Sequence, residues 1–115
     1  GPIGDTARNL REAAAGEHEE WSDMYAEFSR VAREEGFNAI ANLFANIAVV
    51  EQHHEARYRK LIDRMDKGEV FSDPDSETVW QCRYCGYLHK GNNAPKACPV
   101  CRKPQAYFQR VENNF

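Results

Sequence analysis

Two long stretches of this chain carry a helical apolar stripe, and both stripes are interrupted by ionisable side chains where a leucine would be expected. Along residues 6 to 35 the stripe runs Leu10, Ala14, Trp21, Met24, Phe28 and Val31, and the beat it misses falls on Glu17. Along residues 38 to 66 it runs Ile40, Phe44, Ile47, Tyr58, Leu61 and Met65, and the missing beats are Glu51 and His54. Glu20 follows Glu17 by three and precedes Met24 by four, so it leans to the same side of the first helix. An unpaired carboxylate in a helix–helix seam costs several kcal/mol, so a cluster of them there calls for a cation.

Asp5 or Thr6 is a suitable N-cap for the first helix, and Gly36 a suitable stop. The second helix runs from about Asn38 to Lys67, where Gly68 ends it. Helices joined by so short a connection are antiparallel neighbours in an αα-hairpin. Glu17 and Glu20 lie about 18 residues before the turn, and Glu51 and His54 about 16 after it. At 1.5 Å per residue the two pairs stand level to within about 3 Å.

Size and charge narrow the options. A chain of 115 residues holds one ordinary domain or two small ones. It contains no apolar run long enough to span a membrane. A net charge of -3, with no basic cluster to offset it, argues against nucleic acid as the main partner. With no signal peptide in view, a reducing cytoplasm is the expected compartment.

All four cysteines fall in two C-x-x-C pairs, Cys82/Cys85 and Cys98/Cys101, with twelve residues between the pairs. That spacing suits a tetrahedral metal better than a disulfide framework, and a four-thiolate site takes zinc or iron. Residues 68–77 read as a polar linker and residues 78–115 as a small module. The module is too small for a large core, so its metal must supply much of its folding energy.

The run Trp80-x-Cys82-x-x-Cys85-Gly86-Tyr87, followed by His89, Gly91, Ala94-Pro95, Cys98-Pro99-x-Cys101, Pro104 and Phe108, resembles the rubredoxin-like module at the end of rubrerythrins. Glu51-x-x-His54 has the E-x-x-H spacing of di-iron carboxylate helices. Together with Gly16-Glu17-x-x-Glu20, Met24-Tyr25 and Arg33-Glu34-Glu35-Gly36, it makes the chain similar to the rubrerythrin family from Gly4 to its end.

The resemblance implies a mainly α fold: residues 6–67 as half of a ferritin-like four-helix bundle, then the rubredoxin-like β domain. It implies a di-iron centre in which Glu17 and Glu51 bridge or chelate and His54 supplies a nitrogen. Glu20 is implied to be a carboxylate that binds one iron in the oxidised state and leaves it on reduction, and Tyr25 to pack beside the cluster. Cys82, Cys85, Cys98 and Cys101 would hold one electron-shuttling iron, for which zinc can substitute on overexpression. His18 and His53, next to ligands but about 100° round the helix, read as outward or supporting side chains.

A complete bundle of this family has an earlier helix pair with its own E-x-x-H. The leader, residues 1–5, resembles the crossover that precedes the third helix. The expectation is therefore a C-terminal half, completed by an N-terminal half-bundle chain or by a second copy. Complete units are expected to pair head to tail. The implied activity is reduction of hydrogen peroxide to water, with electrons from an external donor relayed through the four-cysteine iron. Competing readings are ferritin-like iron oxidation and storage, and a non-catalytic zinc-ribbon adaptor.

Overall fold

The structure, a computed structural model, describes residues 2–115. It forms two compact units that divide between Met65 and Asp66. Helix α1 (Thr6–Glu19) begins where the Asp5 carboxylate accepts from the Arg8 backbone N–H at 2.8 Å. It continues without a break through a π-helical segment, Glu20–Met24, into α2 (Tyr25–Glu34). At the end of α2, Phe37 N–H bonds to the Ala32 carbonyl (2.8 Å) and Gly36 N–H to that of Arg33 (3.1 Å). These are the paired bonds of a Schellman cap, and Gly36 takes the left-handed position they require, at φ 85°. The chain then reverses into α3 (Asn38–Asp66).

The two arms run antiparallel, since as one residue number falls its partner's rises. Ser29 Oγ donates to the Ala41 carbonyl at 2.8 Å, the Tyr25 and Phe44 rings lie 6.0 Å apart, and His18 meets Glu55. The apolar side chains are sorted by size. The buried apolar residues of this unit are Ala14, Ala32 and Ala41, while Phe28, Phe37, Ile40, Leu43, Val49, Val50 and Leu61 are exposed. Small residues let the arms approach closely, and the large ones form a face beside the hairpin seam. A groove in that face is lined by Phe28, Val31, Phe37, Ile40 and Phe44. Two helices that leave their largest apolar groups in water form half of a bundle, as the ferritin-like expectation holds.

The second unit is a three-stranded antiparallel sheet of β1 (Thr78–Cys82), β2 (Leu88–Gly91) and β3 (Phe108–Arg110), in the order β2-β1-β3. Its core is Trp80, Cys82, Ala94, Cys98 and Phe108, against which Phe71 and Tyr87 pack. The polar stretch before β1 is fastened to this unit. Arg110 grips Asp73 with two nitrogens at 3.0 Å, donates to the carbonyls of Glu69, Val70 and Ser72, and stacks over Trp80 at 4.6 Å. Among the described residues no helix is long and apolar enough to cross a membrane.

Candidate metal centres

The four cysteine sulfurs lie within 4.8 Å of one another. Cys82 Sγ is 3.7 Å from Cys101 Sγ, and Cys85 Sγ is 3.6 Å from Cys98 Sγ. A disulfide needs about 2.05 Å. A tetrahedron of four sulfurs, each about 2.3 Å from a central ion, has edges of about 3.8 Å, so the spacing fits one metal.

The two knuckles repeat each other. Cys82 accepts from the backbone N–H groups of Tyr84 and Cys85, and Cys98 from those of Val100 and Cys101. Likewise Cys85 accepts from Tyr87, and Cys101 from Lys103. Burial pushes the Cys98 thiol up, yet the N–H groups of Cys101 and Val100, together with hydrogen bonds from the Cys101 and Cys85 thiols, bring it down to about 7. Cys101 is pushed up to about 12, by burial first and then by the neighbouring thiols that share its hydrogen. Four thiolates cannot coexist here without a cation, which is the donor chemistry of a closed metal site.

In the helical unit, Glu17, Glu51 and His54 bring one ligand atom each within 4.8 Å of one another. His54 Nδ1 lies 2.7 Å from Glu51 Oε2 and 3.5 Å from Glu17 Oε1. Glu17 Oε2 is buried with no partner. Burial raises the Glu17 pKa, and its hydrogen bond to Glu51 and the Glu51 charge raise it further. A carboxylate with one oxygen beside an imidazole and the other buried without a partner, next to a second carboxylate, is an arrangement that a hard or borderline cation relieves.

Glu20 stands at the first position of the π segment, half-buried. Its charge also raises the Glu17 pKa, but it is not in the close triplet. Tyr25 packs its ring on Phe28 and Phe44, at 5.9 and 6.0 Å.

A neighbouring group was not singled out from the sequence. Glu55 is buried, and its carboxylate accepts from Trp21 Nε1 (2.5 Å), His18 Nδ1 (3.1 Å) and Arg59 Nε (2.5 Å). The Trp21 bond, above all, holds its pKa down at about 2 against the cost of burial. His18 is thus a supporting side chain, tying α1 to α3 beside Glu17. The signal available in the sequence was the position of Glu55, four residues beyond Glu51 on nearly the same face.

The rubrerythrin family profile matches residues 2–62, and that of the rubrerythrin rubredoxin-like domain matches residues 80–109. The chain belongs to the rubrerythrin family. It is 51% identical to a rubrerythrin of Porphyromonas gingivalis over all 115 residues, covering 57% of that protein. It is 46% identical to a rubrerythrin of Nitratidesulfovibrio vulgaris, covering all of this chain and 60% of that one. The chain therefore spans less than two thirds of the curated relatives it matches. Its fold is similar to that of nigerythrin in the partially reduced state, with a TM-score of 0.55 and 32% identity over 96% of this chain and 52% of that one. Nigerythrin in the fully reduced, all-ferrous state gives a TM-score of 0.54, also at 32% identity.

Proposed function

We propose that this chain is the C-terminal part of a peroxide-reducing di-iron protein, in which the four-cysteine site carries iron and relays single electrons. The observation that carries this reading is the pairing of a closed four-sulfur tetrahedron with the Glu17, Glu51 and His54 triplet in one chain. A solved relative described as all-ferrous supports iron in such a fold. Two carboxylate-held irons can deliver two electrons together to the O–O bond of hydrogen peroxide, and so yield water.

The chain's own residues would divide the work. Glu17, with one oxygen beside His54 and another without a partner, would be a ligand to the metal. Glu51 and His54 would supply a carboxylate and a nitrogen ligand beside it. His54 Nδ1 lies between the two carboxylates, 2.7 Å from Glu51 and 3.5 Å from Glu17. Glu20, on the π segment, is the carboxylate free to join or leave. Tyr25 closes the apolar side beside Phe28 and Phe44. Three close ligands fall short of two irons, so the exposed apolar face and the missing ligands are completed by one further helix pair. An N-terminal half is favoured and a second copy is the alternative, with complete units paired head to tail.

The test is peroxide consumption by the iron-loaded complete protein under a continuous supply of reductant. Turnover that is lost in Glu51→Ala, while the four-cysteine site keeps its iron, supports the reading. Iron uptake and oxidation by dioxygen without peroxide turnover would replace it with a storage function.

A further inference from the structure

Three candidate ligands of the helical unit are each followed by a member of one hydrogen-bonded cluster. His18 follows Glu17, Trp21 follows Glu20 and Glu55 follows His54. One step along a helix turns a side chain by about 100°. The residues next to the ligands therefore meet in a layer of their own across the same two arms, as Glu17 and His54 meet in the first.

Glu55 is the centre of that layer. Its side chain is only 10% exposed, and both of its oxygens are engaged. Oε2 accepts from Trp21 Nε1 and His18 Nδ1, and Oε1 accepts from the Arg59 guanidinium. The Trp21 and His18 rings also meet edge to face, with centroids 5.0 Å apart. Glu55 lies outside the close ligand triplet and is satisfied by protein donors, whereas Glu17 keeps a buried oxygen without a partner. Glu55 has the bonding of a support, and Glu17 that of a ligand.

What is supported is the turn that carries Glu20. Glu20 opens the π segment, in which the Tyr25 N–H reaches back to the Glu20 carbonyl. A π turn is rare, and left to itself it is looser than the α-helical turn it replaces. Here side chains tie it down. Trp21, inside the segment, is bonded to Glu55 on the facing helix, and Ser22 Oγ donates to the His18 carbonyl at 2.6 Å. His18, which precedes the segment, thus accepts from Ser22 through its backbone and reaches Glu55 through its ring. The chain is pinned to α3 on both sides of Glu20, while the Glu20 carboxylate stands apart from the triplet.

We propose that Glu55 is a positioning residue for the helical metal site: through Trp21 and His18 it holds the π turn in register with α3 and gives Glu20 a fixed base from which its carboxylate moves. The proposal rests on the reading of Glu17, Glu20, Glu51 and His54 as metal ligands.

The test uses the complete protein with its four-cysteine site filled by zinc. Trp21→Phe keeps an aromatic ring, removes the N–H donor and leaves Glu55 bonded to His18 and Arg59. With the helical site empty, amide exchange should quicken about tenfold over residues 20–25 and stay unchanged in α3. The affinity of the helical site for further zinc should fall about tenfold. Glu55→Ala should lose at least as much, and Trp21→Phe/Glu55→Ala no more than Glu55→Ala alone, because both changes break one link. Glu55→Gln keeps an oxygen for Trp21 and should regain part of the affinity lost in Glu55→Ala. Faster exchange spread evenly over both arms, with zinc affinity unchanged, would mean that the cluster only stabilises the hairpin. Loss of one bound zinc in Glu55→Ala, with the remaining affinity intact, would make Glu55 a ligand. Either result overturns the proposal. Absence of peroxide turnover in the unaltered iron-loaded protein, with the exchange and zinc results as expected, would leave the positioning role standing and remove the peroxidase reading.

Discussion

The two candidate metal centres differ in what surrounds them. The four-cysteine site is closed within 20 residues of sequence. Its ligands, the N–H donors to its sulfurs and the buried Trp80 and Phe108 all come from its own unit. The helical site joins residues 37 positions apart, leaves His54 half exposed and Glu17 Oε2 unpaired, and stands beside an apolar face of its own unit that includes the exposed Phe28, Phe37 and Ile40. A site built from two short loops can be complete in a fragment. A site built from helix faces is only as complete as its bundle.

That contrast can be broken most sharply at the cysteines. Cys98→Ser, or a strong chelator, should unfold residues 66–115, because a tetrathiolate metal contributes on the order of 10 kcal/mol to so small a domain. Amide dispersion of Trp80 and Phe108 reads this directly. A native-like sheet without metal would show that the core alone suffices. Removal of a helical ligand should act quite differently. In the complete protein, Glu51→Ala should lower metal affinity at that site more than about a hundredfold, with helix content unchanged, since α3 owes little to the ligand. Metal analysis beside circular dichroism checks both halves, and loss of helix would erase the distinction.

A smaller effect is expected at Glu55. Glu55→Ala leaves Trp21, His18 and Arg59 without their shared acceptor and should destabilise the helical unit by about 2–3 kcal/mol in denaturant unfolding. The same group sets an acid limit for the metal-free protein. Its folded pKa of about 2 lies below the ordinary 4.5, so the folded state binds this proton more weakly than the unfolded state does. Its stabilisation is complete above about pH 4.5 and drains away as the pH falls toward 2. Unfolding of Glu55→Gln should lose that part of the acid dependence. The smallest effect is at the second knuckle. Arg102→Gly should stabilise the cysteine unit by about 1 kcal/mol, by relieving the left-handed backbone at Arg102, where φ is 67°. A neutral or destabilising result would mean that the arginine side chain holds the knuckle.

The same contrast explains what was legible in the sequence. Cys82, Cys85, Cys98 and Cys101 announce their site because C-x-x-C fixes geometry locally. The hairpin was legible from Gly36 and the apolar stripes, and the level of Glu17 with Glu51 and His54 from simple rise per residue. Periodicity could not say which apolar residues are buried in the seam, and the structure gives that place to alanines and leaves Phe28 and Ile40 partly in water. Nor could it reveal the π segment, because a wider turn alters hydrogen-bond partners without altering composition. The role of Glu55 depends on donors from α1, 34 and 37 residues away, which no local pattern carries.

The π segment has a consequence for chain length. There the Tyr25 N–H reaches back five residues, to the Glu20 carbonyl, so the turn holds one residue more than an α-helical turn would. The surplus is absorbed on the spot, and the helix before it and the helix after it keep their phase. Deleting a residue such as Asp23 would let the turn close as ordinary α-helix, with Glu17 and Phe28 still on their present faces. Such a shortened chain keeps every candidate ligand and loses only the loosened backbone beneath Glu20. It separates the contribution of the Glu20 carboxylate from that of the wider turn that carries it.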